Sequence, residues 1–201
     1  MAGLVALVVA YLLGGVPFGF LLYWIARGGD VRSVGSGNIG ATNVSRAGGW
    51  TLGLLTLVLD AGKGAAAVAL AERLLPGEPG WGSAAALAAV AGHCFPIFLR
   101  LRGGKGVATG CGAFTILYPA AMGVALIVFA LTVAVTRMVA AGSILAALAF
   151  PIACGCLGAG AAATSLASIT GLMIIVRHHE NIRRILRGTE RRLGAGRGIS
   201  D

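Results

Sequence analysis

Charge is what this chain has least of. Only 11% of its 201 residues are charged, and only seven are acidic. Soluble domains carry about 25%, and a globule this small cannot hide so much apolar side chain from water. A soluble enzyme is therefore excluded, and so is a disordered chain. The seven carboxylates are scattered, so no metal cluster is evident and no cofactor is expected. The four cysteines form no CxxC pair, which leaves zinc and thioredoxin-like chemistry without support. Cys94, Cys111, Cys154 and Cys156 read instead as small buried packing residues. The N-terminus lacks the basic start and short apolar core of a signal peptide.

What is there is long apolar runs. The fold class expected is all-α, a polytopic membrane protein forming one domain over residues 1–201. Residues 1–26 are uncharged and read as the first helix. Apolar stretches near Gly49–Ala71 and Pro79–Leu99 give the second and third. The uncharged runs Gly106–Thr136 and Met138–Val176 each have basic residues at both ends, so each is expected to cross twice. Tyr118-Pro119 and the glycine-rich Gly155–Gly160 are the expected breaks. The count is about seven helices, with the N-terminus outside and the C-terminus cytoplasmic. Fourteen of the 16 basic residues then fall on the inner side. Val107–Leu117 is short enough for a re-entrant helix. Residues 191–201 read as a basic mobile tail.

The net charge of +9 would suit nucleic acid in a soluble protein. Here it points to cytoplasmic loops and an anionic membrane or substrate. Three polar segments interrupt the apolar pattern. The first is Ser36, Gly37, Asn38, Ile39, Gly40, Ala41, Thr42 and Asn43, followed by Arg46. Its glycines let successive N–H groups converge on an anion, and Arg46 adds a forked cation. An ordinary Gly/Asn turn is the plainer reading. The second runs from His93 through Arg100 and Arg102 to Gly103, Gly104, Lys105 and Gly106. Glycines around a lysine before a helix suggest phosphate binding, although the Walker spacing is absent and nucleotide hydrolysis has no support. A cluster that only orients the helices would look the same. The third runs from His178 to Glu190. On a helix His178 and Asn181 share a face, so His178 fits a polar role better than His179. A basic helix lying on anionic lipid is the alternative.

Asp60 and Lys63 lie inside the second apolar run, three apart, where they can pair structurally or line a polar wall. His93 reads as a satisfied structural histidine or a base.

Taken together, SGNIGATN at 36–43, GHCFPIFLRLRGGKGVAT at 92–109, HHENIRRILRGTE at 178–190 and the LDAGKG stretch around Asp60 and Lys63 resemble the PlsY family of bacterial membrane glycerol-3-phosphate acyltransferases. The order of segments agrees along essentially the whole chain. The family prefers an aromatic residue shortly before GGKG, where this chain has Leu101 between two arginines. That departure is expected to alter packing rather than chemistry.

The resemblance implies acyl transfer from acyl phosphate to the 1-hydroxyl of glycerol 3-phosphate, giving lysophosphatidic acid and phosphate. It implies roles for Ser36, Gly37, Asn38, Gly40, Asn43 and Arg46 in the first segment, and for Gly103, Gly104, Lys105 and Gly106 in the second. In the third it implies them for His178 and Asn181, with Glu190 in support. Thr42, Asp60, Lys63 and His93 are added as substrate-side candidates, and no metal ligand is expected. Both substrates carry phosphate at roughly −1.5 to −2 charge, which calls for several cations and many N–H donors. Acyl phosphate is already activated, so direct transfer needs no covalent intermediate. The His-x4-Asp pattern of other acyltransferases is absent. The expected setting is the bacterial cytoplasmic membrane, with membrane lipid around the helices and the site facing the cytoplasm. No nucleic acid and no obligatory protein partner are expected. A transporter of a phosphate ester is the rival reading, although no inverted repeat is apparent.

Overall fold

The computed structural model describes residues 1–77 and 80–194. The described residues form ten α-helices: α1 Ala2–Gly15, α2 Phe18–Arg27, α3 Ala41–Gly48, α4 Trp50–Leu74 and α5 Trp81–Cys94 precede α6 Val107–Leu117, α7 Pro119–Thr136, α8 Val139–Cys156, α9 Ala161–Arg177 and α10 His179–Leu186. No strand occurs among the described residues. The chain is an all-α membrane protein. Among the described residues five spans are long and apolar enough to cross a bilayer, counting α1 and α2 as one. A sixth is available from α9 with α10, which bend by 60° at their junction.

The first run is not one straight helix. Val16 is extended ahead of Pro17, which has no N–H to continue the ladder, and α2 starts afresh at Phe18. The other breaks fall where expected. Pro119 opens α7 at its first position, where a missing N–H costs nothing. Gly158 and Gly160, both at positive φ, separate α8 from α9. At 11 residues, α6 is about 16 Å long, well short of a core of about 30 Å.

Small residues set how closely the helices approach. Ala6 and Ala10 of α1 pack with Ala67 and Ala71 of α4 and Ala85 and Ala89 of α5. At Gly14, Gly64 and Gly112 a Cβ would overlap the backbone of Ala89, Thr109 and Ala61 respectively. That intimacy holds α6 in the bundle despite its length. A second core centres on Phe114 and Phe150, rings 4.7 Å apart, with Cys154 buried among them. Cys94 is also buried and Cys111 partly so, but Cys156 is exposed, contrary to the packing role expected of it.

Chain direction brings the ends of α2, α5, α7, α9 and the starts of α3, α4, α6, α8, α10 to one end of the bundle. The polar segments collect there. The C-terminal strip is part of it: Arg191 donates to Gly35 O at 3.2 Å and the Leu193 amide to Arg137 O at 2.7 Å. Two distant loops thus accept hydrogen bonds from residues 191 and 193. The rest of the expected tail, 195–201, lies outside the described residues.

Candidate functional site

The first wall of the site is the loop between α2 and α3. Asp30 opens it by accepting from the Arg32 amide at 2.8 Å and pairing with the Arg32 guanidinium at 2.7 Å. Gly35 and Gly37, at φ 66° and 69°, fold the loop over the side chain of Asn43. Asn43 is 2% exposed. Its Oδ1 accepts from the Ser36 amide at 2.8 Å, and its Nδ2 faces the carbonyls of Val31, Val34 and Asn38 at 2.9–3.2 Å. Asn38 Oδ1 accepts from the Gly40 amide at 2.8 Å, closing the turn into α3. Asn43 therefore holds the loop together, and Gly40 serves the turn. Thr42 is exposed on the first turn of α3 and does not line the site's cavity. What the loop offers outward is Asp30, Arg32 and Ser33 together with Ser36, Gly37 and Asn38.

The second wall follows α5. Arg100 and Leu101 adopt left-handed backbone at φ 53° and 63°, conformations that cost a non-glycine residue energy. Arg100, Leu101 and Arg102 all line the cavity as a result. The Gly103 and Gly104 amides donate to Cys94 O at 3.2 Å and His93 O at 3.0 Å. This corrects the expectation that these two N–H groups cradle phosphate, because the end of α5 already holds them. Their carbonyls accept from Arg177, Nη2 to Gly103 O and Nε to Gly104 O, each at 3.1 Å. Gly106, at φ 83°, packs against Val90 and Cys94 as it enters α6. Lys105 is left as the one member of GGKG whose side chain reaches outward.

The third wall is the kink between α9 and α10, which follows Arg177. Lys105 Nζ contacts Asn181 Oδ1. Asn181 Nδ2 donates to Glu190 Oε1 at 2.9 Å, and Glu190 Oε2 accepts from Arg184 Nε at 2.8 Å. Burial lowers the Lys105 ammonium to about 8, an effect the nearby Glu190 opposes. It remains mostly charged at neutral pH. His178 is 2% exposed, with Nδ1 2.8 Å from Ile174 O. Arg46 is half-buried beside Arg191, Glu190 and Arg184, and burial is the main cause lowering its otherwise very high pKa.

These walls enclose a cavity of about 1170 Å³. Ser36, Gly37, Asn38, Gly103 and Lys105 line it, so residues from separate parts of the chain do meet. His178 and Asn181 are buried and off the cavity lining, and His179 is on it. Sequence reasoning missed Arg32, Arg177, Glu180 and Arg184 among the lining residues. Arg177 carried a signal in its position, one residue before the His178 segment at the end of an apolar run. Asp60, Lys63 and His93 are not on the wall. The helical phase of α4 and α5 turns them into the bundle, where Asp60 and Lys63 pair at 2.7 Å.

A cavity with unpaired cations, amide-built loops and apolar helices beside it suits an amphiphile with an anionic head. The glycerol-3-phosphate acyltransferase family model matches residues 4–188. The chain is 44% identical over 197 residues to the glycerol-3-phosphate acyltransferase of Anaeromyxobacter dehalogenans strain 2CP-C, covering 96% of this chain and 98% of that one. It is 49% identical over 195 residues to that of Jannaschia sp. strain CCS1, covering 96% and 94%. A crystal structure of PlsY, an integral membrane glycerol 3-phosphate acyltransferase, in its glycerol 3-phosphate form superposes with a TM-score of 0.92 at 36% identity. Its lysophosphatidic acid form gives 0.87 at 34%. Each covers 96% of both chains.

Proposed function

Because the chain belongs to the membrane glycerol-3-phosphate acyltransferase family, we propose that it moves an acyl group from acyl phosphate to the 1-hydroxyl of glycerol 3-phosphate, releasing lysophosphatidic acid and inorganic phosphate. The observation that carries this reading is the meeting of Ser36, Lys105 and the Asn181–Glu190 network around one polar cavity.

Transfer is direct. The glycerol hydroxyl oxygen attacks the acyl carbonyl carbon, the bond from that carbon to the phosphate oxygen breaks, and phosphate leaves with the electron pair. Lys105 neutralises charge as it develops on the departing phosphate. Asn181 and Glu190 hold the Lys105 chain in place, which is orientation already made in the fold. Ser36 and Asn38 hydrogen-bond the acceptor, and Arg46 supports that wall. The hydroxyl proton goes to an oxygen of the leaving phosphate. His178 is behind the wall and its Nδ1 is engaged by Ile174 O, so it shapes the kink more than it moves the proton. No step calls on a metal or a cofactor.

The site faces the cytoplasm of the bacterial inner membrane, with the N-terminus outside. The support is charge: basic residues crowd the end that bears the cavity, while Arg73 stands at the other end of α4. Water-soluble glycerol 3-phosphate enters there, and the acyl tail stays among the helices. The test is phosphate release from palmitoyl phosphate by the purified protein in detergent, with and without glycerol 3-phosphate. Release that depends on the acceptor supports the reading. Acceptor-independent or absent release refutes it and returns the field to a transporter.

A further inference from the structure

Three polar side chains lie inside the apolar bundle, off the cavity wall. Asp60 and Lys63 pair at 2.7 Å with side chains 2% and 3% exposed. His93 Nδ1 stands 3.7 Å from Asp60 Oδ1, and neither atom has a hydrogen-bond partner of good geometry. Charges in a membrane helix are costly, and well-packed apolar residues would hold the bundle at least as well. Packing alone does not explain the cluster.

Its two ends do. Lys63 Nζ donates to Val16 O at 2.7 Å, at the joint that Pro17 forces between α1 and α2. Beyond α2 the chain runs directly into the Ser36 loop. At the opposite end the His93 ring lies against Gly104, where a Cβ would overlap Nε2. The backbone of His93 accepts from the Gly104 amide at 3.0 Å. Lys105 is the next residue.

We propose that Asp60, Lys63 and His93 are positioning residues that set the Ser36 loop and Lys105 in one frame. They touch no substrate. Lys63 fixes the joint from which α2 departs, His93 fixes the height of Gly104, and Asp60 stands between them. Arg177 pulls on the Gly103 and Gly104 carbonyls from the far side, so the loop is held between two opposed anchors. The inference rests on the reading that Lys105 acts on the transferred phosphate.

The test uses the full-length protein in detergent and acceptor-dependent phosphate release. His93→Ala is expected to lower kcat on the order of 10- to 100-fold, as loss of alignment does, with KM for glycerol 3-phosphate and thermal unfolding nearly unchanged. Gly104→Ala is expected to lose at least as much. The double variant Gly104→Ala/His93→Ala is expected to be more active than Gly104→Ala, because removing the ring gives the new methyl room. The neutral pair Asp60→Asn/Lys63→Met should reproduce the kcat loss, and where it fails to fold the His93 and Gly104 variants decide. A His93→Ala protein that is less stable but turns over at the wild-type kcat overturns the proposal. So does a double variant no better than Gly104→Ala. Failure of the wild-type enzyme itself to release phosphate would instead overturn the functional reading.

Discussion

Replacing Lys105 by Met removes one charge from the cavity while leaving its stem. At the usual effective dielectric near a protein surface, unit charges 4 Å apart attract by about 4 kcal/mol. With Lys105 lowered to about 8, about nine-tenths of the molecules carry that charge at pH 7. Water entering the space screens part of the loss, so about 3 kcal/mol of transition-state stabilisation should disappear, a fall in kcat on the order of 10² to 10³. The fold should survive, because Asn181 keeps Glu190 and Glu190 keeps Arg184. Thermal unfolding in detergent is expected to move by only a few degrees. Lys105→Arg should recover part of the rate, since it restores charge but not the compact shape. The assay is acceptor-dependent phosphate release at saturating glycerol 3-phosphate. A folded Lys105→Met protein that keeps more than about a tenth of the wild-type kcat would refute the electrostatic role.

The same lysine predicts a pH dependence. Its free-enzyme pKa is lowered, so the ammonium is present below about 8 and lost above it. A profile of kcat/KM should fall on the alkaline side near that value, and the Lys105→Arg variant should lose that limb. The limb in kcat should lie higher, because bound phosphate favours the charged form. His178→Ala is expected to retain substantial turnover across the profile; complete loss in a folded protein would make His178 the obligatory base. Asn43→Ala leaves the Ser36 amide and buried carbonyls without their partner. It should cost about 1–3 kcal/mol of stability and raise KM for glycerol 3-phosphate, read by thermal unfolding and initial rates.

The architecture was legible because uncharged length is a direct consequence of the bilayer. Breaks at Pro119 and at Gly158–Gly160 were legible for the same kind of reason, since each residue type has a fixed backbone effect. Pro17 carried an equal signal, but it sat in an uninterrupted apolar run and the run masked it. At the site, the glycine-rich segments announced themselves and Ser36 and Lys105 emerge on one cavity. What composition could not convey was direction. Whether an asparagine faces a ligand or its own loop depends on three-dimensional closure, and Asn43 faces its own loop. The Gly103 and Gly104 amides look available in sequence and are taken by α5. Arg177 looked like a positive-inside residue because its two carbonyl partners lie 73 and 74 positions away.

The site's charges make chemical sense once the internal pairs are set aside. Among the described residues, Arg32 is paired with Asp30, and Arg184 with Glu180 and Glu190. Lys105, Arg100, Arg102 and Arg177 line the same cavity without a carboxylate partner. With the one carboxylate charge that Arg184 leaves uncompensated, these four cations give a formal charge of three. In the proposed reaction two substrate phosphates would bring roughly −3 to −4 between them, so the cavity would approach neutrality only with both substrates present. With one bound, excess positive charge remains to attract the second. The carboxylates work in the opposite sense: Glu190 and Asp30 hold their arginines in place so that these do not collapse onto the incoming phosphates. The proposed direct transfer would require two mutually repelling anions side by side, and a cavity with several unpaired cations suits that requirement without any covalent step.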